Sequence, residues 1–170
     1  SMWVALSILG LGLAFCANLY TGWACVASWV FAIIYNVPPV RTKELSYFDV
    51  LSEAINNPIR LLMGWYATGV TSLPPISALF AYWMFGSFLM ATKRFAEYRH
   101  ISDPVRAGQY RKSFVHYTEE RLIVSIVFYI AMFASSLSVF IMQYQHELVL
   151  GMPVLAYMIA YYLYLGFQPN

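Results

Sequence analysis

Four polar side chains, Asp49, Glu53, Asn56 and Arg60, recur at offsets of four, seven and eleven residues inside the otherwise apolar stretch from Tyr47 to Thr71. On a helix of 3.6 residues per turn those offsets return to nearly one angle, so the four side chains and Gly64 share one narrow face. Ionisable groups at membrane depth cost about 2.5–3.5 kcal/mol each, and so they face a polar cavity or one another. The stripe is expected to line such a cavity. The structural alternative is a Glu53–Arg60 or Asp49–Lys43 ion pair that only joins helices. Pro58 cannot donate a backbone hydrogen bond, and Asn56 and Asn57 before it can satisfy groups so freed, so a kink or break is expected at Pro58.

Two further constellations carry charge. In Tyr35-Asn36-Val37-Pro38-Pro39-Val40-Arg41-Thr42-Lys43 the double proline ends a helix and stiffens the loop that presents Arg41 and Lys43. Two close cations suit phosphate or diphosphate through charge-assisted hydrogen bonds, although their spacing alone favours a simple cytoplasmic membrane-surface anchor. In Lys93-Arg94-Phe95-Ala96-Glu97, Lys93 and Glu97 stand one helical turn apart, where a cation and a carboxylate can hold a phosphorylated substrate with its metal ion or form a weak interfacial pair. Downstream, Arg111, Lys112 and Tyr117 precede Glu119-Glu120-Arg121, whose acids suit a helix N-terminus and read as structural. Ser87 and His116 form no recognisable nucleophile pair, and a Gly-Ser step in a membrane helix reads as packing.

The elements that must position these groups are membrane helices. The chain of 170 residues is 61% hydrophobic and 11% charged, with mean hydropathy +0.60, which excludes an ordinary soluble domain. A bilayer core of about 30 Å needs about 20 apolar residues per helix. Candidate spans are Met2 to Tyr20, Gly22 to Val40, Tyr47 to Thr71, Ser72 to Thr92, Leu122 to Met142 and Leu148 to Gln168, six in all. Of the ten Lys and Arg residues all but Arg60 fall between Arg41 and Lys43 or between Lys93 and Arg121, so those loops are expected to be cytoplasmic. The turns near Asn18 to Thr21, Thr71 to Pro75 and Gln143 to Glu147 then lie on the opposite side. The expected fold is an all-α, multi-pass bundle in the cell membrane, in contact with membrane lipids. A net charge of +2 with basic residues at helix ends excludes nucleic acid as a partner. Cys16 and Cys25 make no metal or redox spacing. A start at Ser1 and a stop at Pro169-Asn170, each directly against a helix, suggest one transmembrane domain, 1–170, incomplete at both ends.

The wording of these segments resembles a known family. YNVPPVRTK (Tyr35 to Lys43), followed by Asp49 and by Arg60-Leu-Leu-Met-Gly64, is similar to the middle of the UbiA superfamily of intramembrane prenyltransferases. FGSFLMATKRFAEYR (Phe85 to Arg99) with RKSFVHYTEERL (Arg111 to Leu122) resembles its decaprenyl-phosphate phosphoribosyltransferase branch, whereas the double-proline loop is closer to the prenyltransferase pattern. The resemblance implies a nine-helix fold in which these six helices are the third to eighth. It also implies a Mg²⁺ cofactor, a polyprenyl lipid and a diphosphate substrate. The family's first acidic motif, which supplies most magnesium ligands, is not on this chain, so the 170 residues alone are expected to be inactive. Its second Asp-rich motif is replaced by Lys93 to Glu97. That replacement favours transfer of a phosphoribosyl group to a polyprenyl phosphate over prenyl transfer to an aromatic or lipid acceptor; a transporter or structural subunit is the reading from another class. Arg41, Lys43, Arg60, Lys93 and Arg94, with Tyr35, would bind substrate, and Asp49 and Glu97 would be catalytic, orienting phosphates or metal-bound water.

Overall fold

Where lipid offers no hydrogen-bonding partner, an apolar run satisfies its backbone only as a helix. The computed structural model describes residues 2–101 and 103–168, and among them there is no strand. Readings that touch Ser1, Pro169 and Asn170 lie outside the described residues.

Helices α1 (Met2–Ala17) and α2 (Leu19–Asn36) form a hairpin turned at Asn18. Asn18 is extended, and its side-chain oxygen accepts from the Tyr20 N–H at 2.8 Å, capping α2. The expected turn from Asn18 to Thr21 thus shrinks to one residue. Close approach is possible because position 22 has no side chain: a Cβ on Gly22 would lie 2.3 Å from the Phe15 ring. Farther along, Trp3 stacks on Trp29 at 6.3 Å.

The stretch expected as a third span is two helices, α3 (Phe48–Ala54) and α4 (Asn56–Ala67). The interruption falls at Ile55, in the turn before Pro58, which cannot donate to the Ala54 carbonyl, while the Ile55 N–H still bonds the Leu51 carbonyl at 3.1 Å and the Ile59 N–H the Ile55 carbonyl at 3.3 Å. The Asn56 amide reaches back to the Glu53 carbonyl at 3.1 Å, across the break. Seven and twelve residues rise only about 10 and 18 Å, so neither piece crosses a bilayer core alone.

Helix α5 (Ile76–Ile101) is the central element, followed by α6 (Pro104–Tyr110), α7 (Glu119–Tyr144) and α8 (Met152–Phe167). Thr118 caps α7 by accepting from the Arg121 N–H, with Glu119 and Glu120 in its first turn as its dipole favours. Asp103 caps α6 in the same way, through the Val105 N–H. The core lies along α5 and α7, where Met84, Phe88, Ala91 and Phe95 meet Leu122, Ile126, Tyr129 and Phe133. Helix α4 packs on α5 at Gly86, whose added Cβ would sit 1.9 Å from the Asn57 amide nitrogen.

Among the described residues, Leu19–Asn36, Glu119–Tyr144 and His146–Phe167 are long and apolar enough to cross a membrane by length and composition. Helix α1 is apolar but shorter. The bundle has two distinct ends. At one, Trp65 bonds the Ser72 carbonyl, and Leu73, Ile76, Val139 and Gln143 gather in an uncharged neighbourhood. At the other, the end of α2, the loop 37–47, the start of α3, the end of α5, the segment 111–117 and the start of α7 bring nearly all the charge together.

Candidate functional site

Asp49 is fully buried in the first turn of α3, and a buried carboxylate must be paired. Its Oδ1 accepts from the Tyr117 hydroxyl at 2.7 Å, and its Oδ2 accepts from Arg94 Nε at 3.2 Å and Ser113 Oγ at 3.1 Å, with Arg111 Nε at 3.5 Å. Arg94, from α5, is also buried, and its planar fork serves three acids. Besides Asp49, Nη2 donates to Glu53 Oε2 at 2.8 Å and Nη1 to Glu97 Oε2 at 3.0 Å. The circuit closes through α2. Arg111 Nη2 donates to the Tyr35 hydroxyl at 3.1 Å, which donates to Glu53 Oε2 at 2.9 Å. Two guanidinium groups thus face three carboxylates, leaving one negative charge in excess.

That charge sits toward the surface. Glu53 and Glu97 side chains are 33% and 25% exposed, and among the described residues their Oε1 atoms accept no hydrogen bond. The rim of the cluster therefore offers acceptors to an incoming donor such as a hydroxyl. Tyr117 lies deeper; burial, together with Asp49 beside it, pushes its phenol well above the ordinary tyrosine range. It stays protonated, donating to Asp49 while accepting from the Tyr47 N–H.

Beside the cluster runs the loop 37–47. Arg41 and Tyr47 both have positive φ, 38° and 68°, conformations that cost non-glycine residues on the order of 1–3 kcal/mol and persist only where neighbours over-determine them. The restraints are visible. Tyr47 N–H donates to the Tyr117 hydroxyl at 2.6 Å, Thr42 Oγ1 to Ser52 Oγ at 2.8 Å, and the Ser46 hydroxyl to the Ser113 carbonyl. Glu44 takes Lys112 at 3.0 Å and Arg41 at 3.0 Å, and the Lys112 hydrogen bond holds its carboxyl below the usual range. Lys43 Nζ donates to Asn36 Oδ1 at 3.1 Å. Arg41 Nε is buried without a partner, so the Arg41 fork keeps unused donor capacity.

Of the residues singled out in the sequence, Tyr35, Asp49, Arg94 and Glu97 meet in one network, with Arg41 and Lys43 on the adjoining loop. Arg60 does not join them. It lies on α4 beyond the break at Ile55, exposed and without an ion pair among the described residues. Lys93 is also outside, because a residue adjacent to Arg94 points about 100° away around α5; it borders a groove against α8. Arg94 itself is turned toward protein carboxylates. Three participants, Arg111, Ser113 and Tyr117, were assigned no site role from sequence; their signal was the R-K-S-x-x-x-Y spacing, which on a 3-10 turn over Lys112–His116 aims all three at Asp49. The Mg²⁺ that the resemblance implies finds no fitting ligand set in this cluster. The acids converge on a guanidinium, and among the described residues no group of three or more His, Cys, Asp and Glu could hold a metal ion.

The model of the UbiA prenyltransferase family matches residues 1–170. No curated protein and no solved structure matches the chain.

Proposed function

The chain belongs to the UbiA prenyltransferase family, and from that premise we propose that this integral membrane transferase moves a phosphoribosyl group from phosphoribosyl diphosphate to a polyprenyl phosphate. The family accounts for a polyprenyl lipid and a diphosphate as substrates. The choice of donor rests on one observation: the acidic rim, Glu53 and Glu97, holds free carboxylate acceptors around an internal guanidinium. A ribosyl ring brings hydroxyl donors to such a rim. An allylic prenyl group brings none.

In this reading a lipid phosphate oxygen attacks the anomeric carbon while the bond from that carbon to the diphosphate breaks. The phosphate nucleophile is already ionised at neutral pH, so no side chain has to take a proton. Arg41 and Lys43 hold the leaving diphosphate with charge-assisted hydrogen bonds, and catalysis is mainly this electrostatic clamping. Asp49 acts as a positioning residue, since it is buried and fixes Arg94, Ser113 and Tyr117. The charged end faces the cytoplasm, by the segregation of Lys and Arg.

The test is transfer by membranes carrying the complete enzyme, supplied with labelled phosphoribosyl diphosphate and a polyprenyl phosphate. A parallel reaction supplies an allylic diphosphate with an aromatic acceptor. Formation of a ribosyl-phospholipid product, weakened in Glu97→Gln chiefly through KM for the ribosyl donor, is expected. Product only in the parallel reaction would refute the donor assignment.

A further inference from the structure

Three acids from two helices converge on one positive centre. Asp49 Oδ2, Glu53 Oε2 and Glu97 Oε2 accept from Nε, Nη2 and Nη1 of Arg94 at 3.2, 2.8 and 3.0 Å. An arginine that simply joins two helices meets one carboxylate with both arms of its fork. Here each nitrogen serves a different acid, which is how ligands surround an ion. The Arg94 side chain is 3% exposed, so the centre of the cluster is closed to water.

The deepest acid has no capacity left for a metal. Asp49 commits Oδ1 to the Tyr117 hydroxyl and Oδ2 to Arg94 and Ser113. Mg²⁺ demands oxygens at about 2.0–2.1 Å in a near-octahedral array, whereas the oxygens that face Arg94 are spread around a planar fork. A divalent ion beside the guanidinium would also meet a like charge that arginine cannot shed, because it stays protonated at any ordinary pH. Charge points the same way. With Arg94 and Arg111 present the three carboxylates are one negative charge in excess; without Arg94 they are two in excess, the charge that one divalent ion neutralises.

We infer that Arg94 is a built-in cation, whose guanidinium takes at the Asp49–Glu53–Glu97 cluster the place of a divalent ion and keeps that ion out. A bound ion leaves on dilution or chelation; this one is part of the chain. The acids therefore keep their arrangement at any metal concentration, and a Mg²⁺ that accompanies a diphosphate is held by other groups. The inference concerns the cluster and not the donor, so it stands or falls separately from phosphoribosyl transfer.

The experiment titrates the purified complete protein in mild detergent with Mn²⁺ and counts bound ions from the electron paramagnetic resonance signal of the free ion. The parent and Glu97→Gln should bind the same number. Arg94→Ala, which vacates the centre, should bind one more, and Arg94→Ala with Glu97→Gln should lose that extra ion. Arg94→Lys keeps a positive charge there and should gain none. In Arg94→Ala, Mg²⁺ at tenfold its Kd should raise the unfolding temperature by about 3–6 °C beyond any rise in the parent. Arg94→Gln, which keeps more of the bulk, serves if Arg94→Ala does not fold. Loss of an ion from the parent on Glu97→Gln would show that the acids already hold metal and would overturn the inference. So would a folded Arg94→Ala or Arg94→Gln protein that gains no ion, or a gain in Arg94→Lys equal to theirs.

Discussion

Replacing Arg94 with Leu removes one guanidinium from three carboxylates. The magnitude follows from burial. Arg94 and Asp49 side chains are 3% and 0% exposed, so their pair lies where solvent cannot screen it, and breaking a buried pair by deleting one partner costs about 3–5 kcal/mol. Glu53 and Glu97, at 33% and 25% exposure, rehydrate on losing their contacts and add less. For a chain of this size each kcal/mol shifts the unfolding temperature by roughly 2–4 °C, so Arg94→Leu should lower it by about 6–20 °C. The cost comes from Asp49, which then keeps only Arg111, at 3.5 Å, as a counter-charge. Asp49→Asn in the Arg94→Leu background should therefore recover part of the loss, a non-additivity of about 1–3 kcal/mol in a double-mutant cycle. Arg94→Lys should fall between, because a point charge cannot reach three acids in separate directions. Thermal unfolding of the purified protein in mild detergent, read by circular dichroism, measures all four proteins. An Arg94→Leu protein that unfolds at the native temperature, or a double variant no better than the single one, would show that the cluster does not hold the helices together.

Tyr117→Phe deletes the donor to Asp49 and the acceptor of the Tyr47 N–H, so it should destabilise by about 1–3 kcal/mol. Because the folded phenol titrates above its ordinary value of 10.0, its contribution is complete below pH 10 and is lost as pH rises beyond it; unfolding temperatures against pH should show that alkaline decline in the parent and a shallower one in Tyr117→Phe. Gly86→Ala places a methyl 1.9 Å from the Asn57 amide and should cost about 1–3 kcal/mol by pushing α4 off α5, whereas Gly64→Ala, with open space around it, should not. Cysteines at Thr42 and Asp103 should react with an impermeant thiol reagent only from the cytoplasmic side and those at Ser72 and Gln145 only from the other; labelling of both pairs from one side would refute the orientation.

Helices form from local interactions, and the local part of this molecule was legible in its residues. The apolar runs predicted an all-α membrane bundle, and the caps Asn18, Asp103 and Thr118 stand where a short polar side chain precedes each helix. The spacing of Asp49 and Glu53, one turn apart, put them on a common face that the structure keeps. The same reasoning stopped short at Arg60, which follows the interruption at Ile55 and is exposed, without an ion pair among the described residues. Which helix a face meets is a long-range matter. Asp49 finds its partners 45, 64 and 68 residues away, in Arg94, Ser113 and Tyr117, and no local pattern selects among ten cations. Lys93 and Arg94 make the point most directly. As neighbours in sequence they look like one basic pair, but α5 is packed by α3 on one side and α8 on another. The 100° between successive residues sends Arg94 into the buried acids and Lys93 to the groove. A helix fixes the angle between two side chains, and only the packing of its neighbours decides what each of them meets.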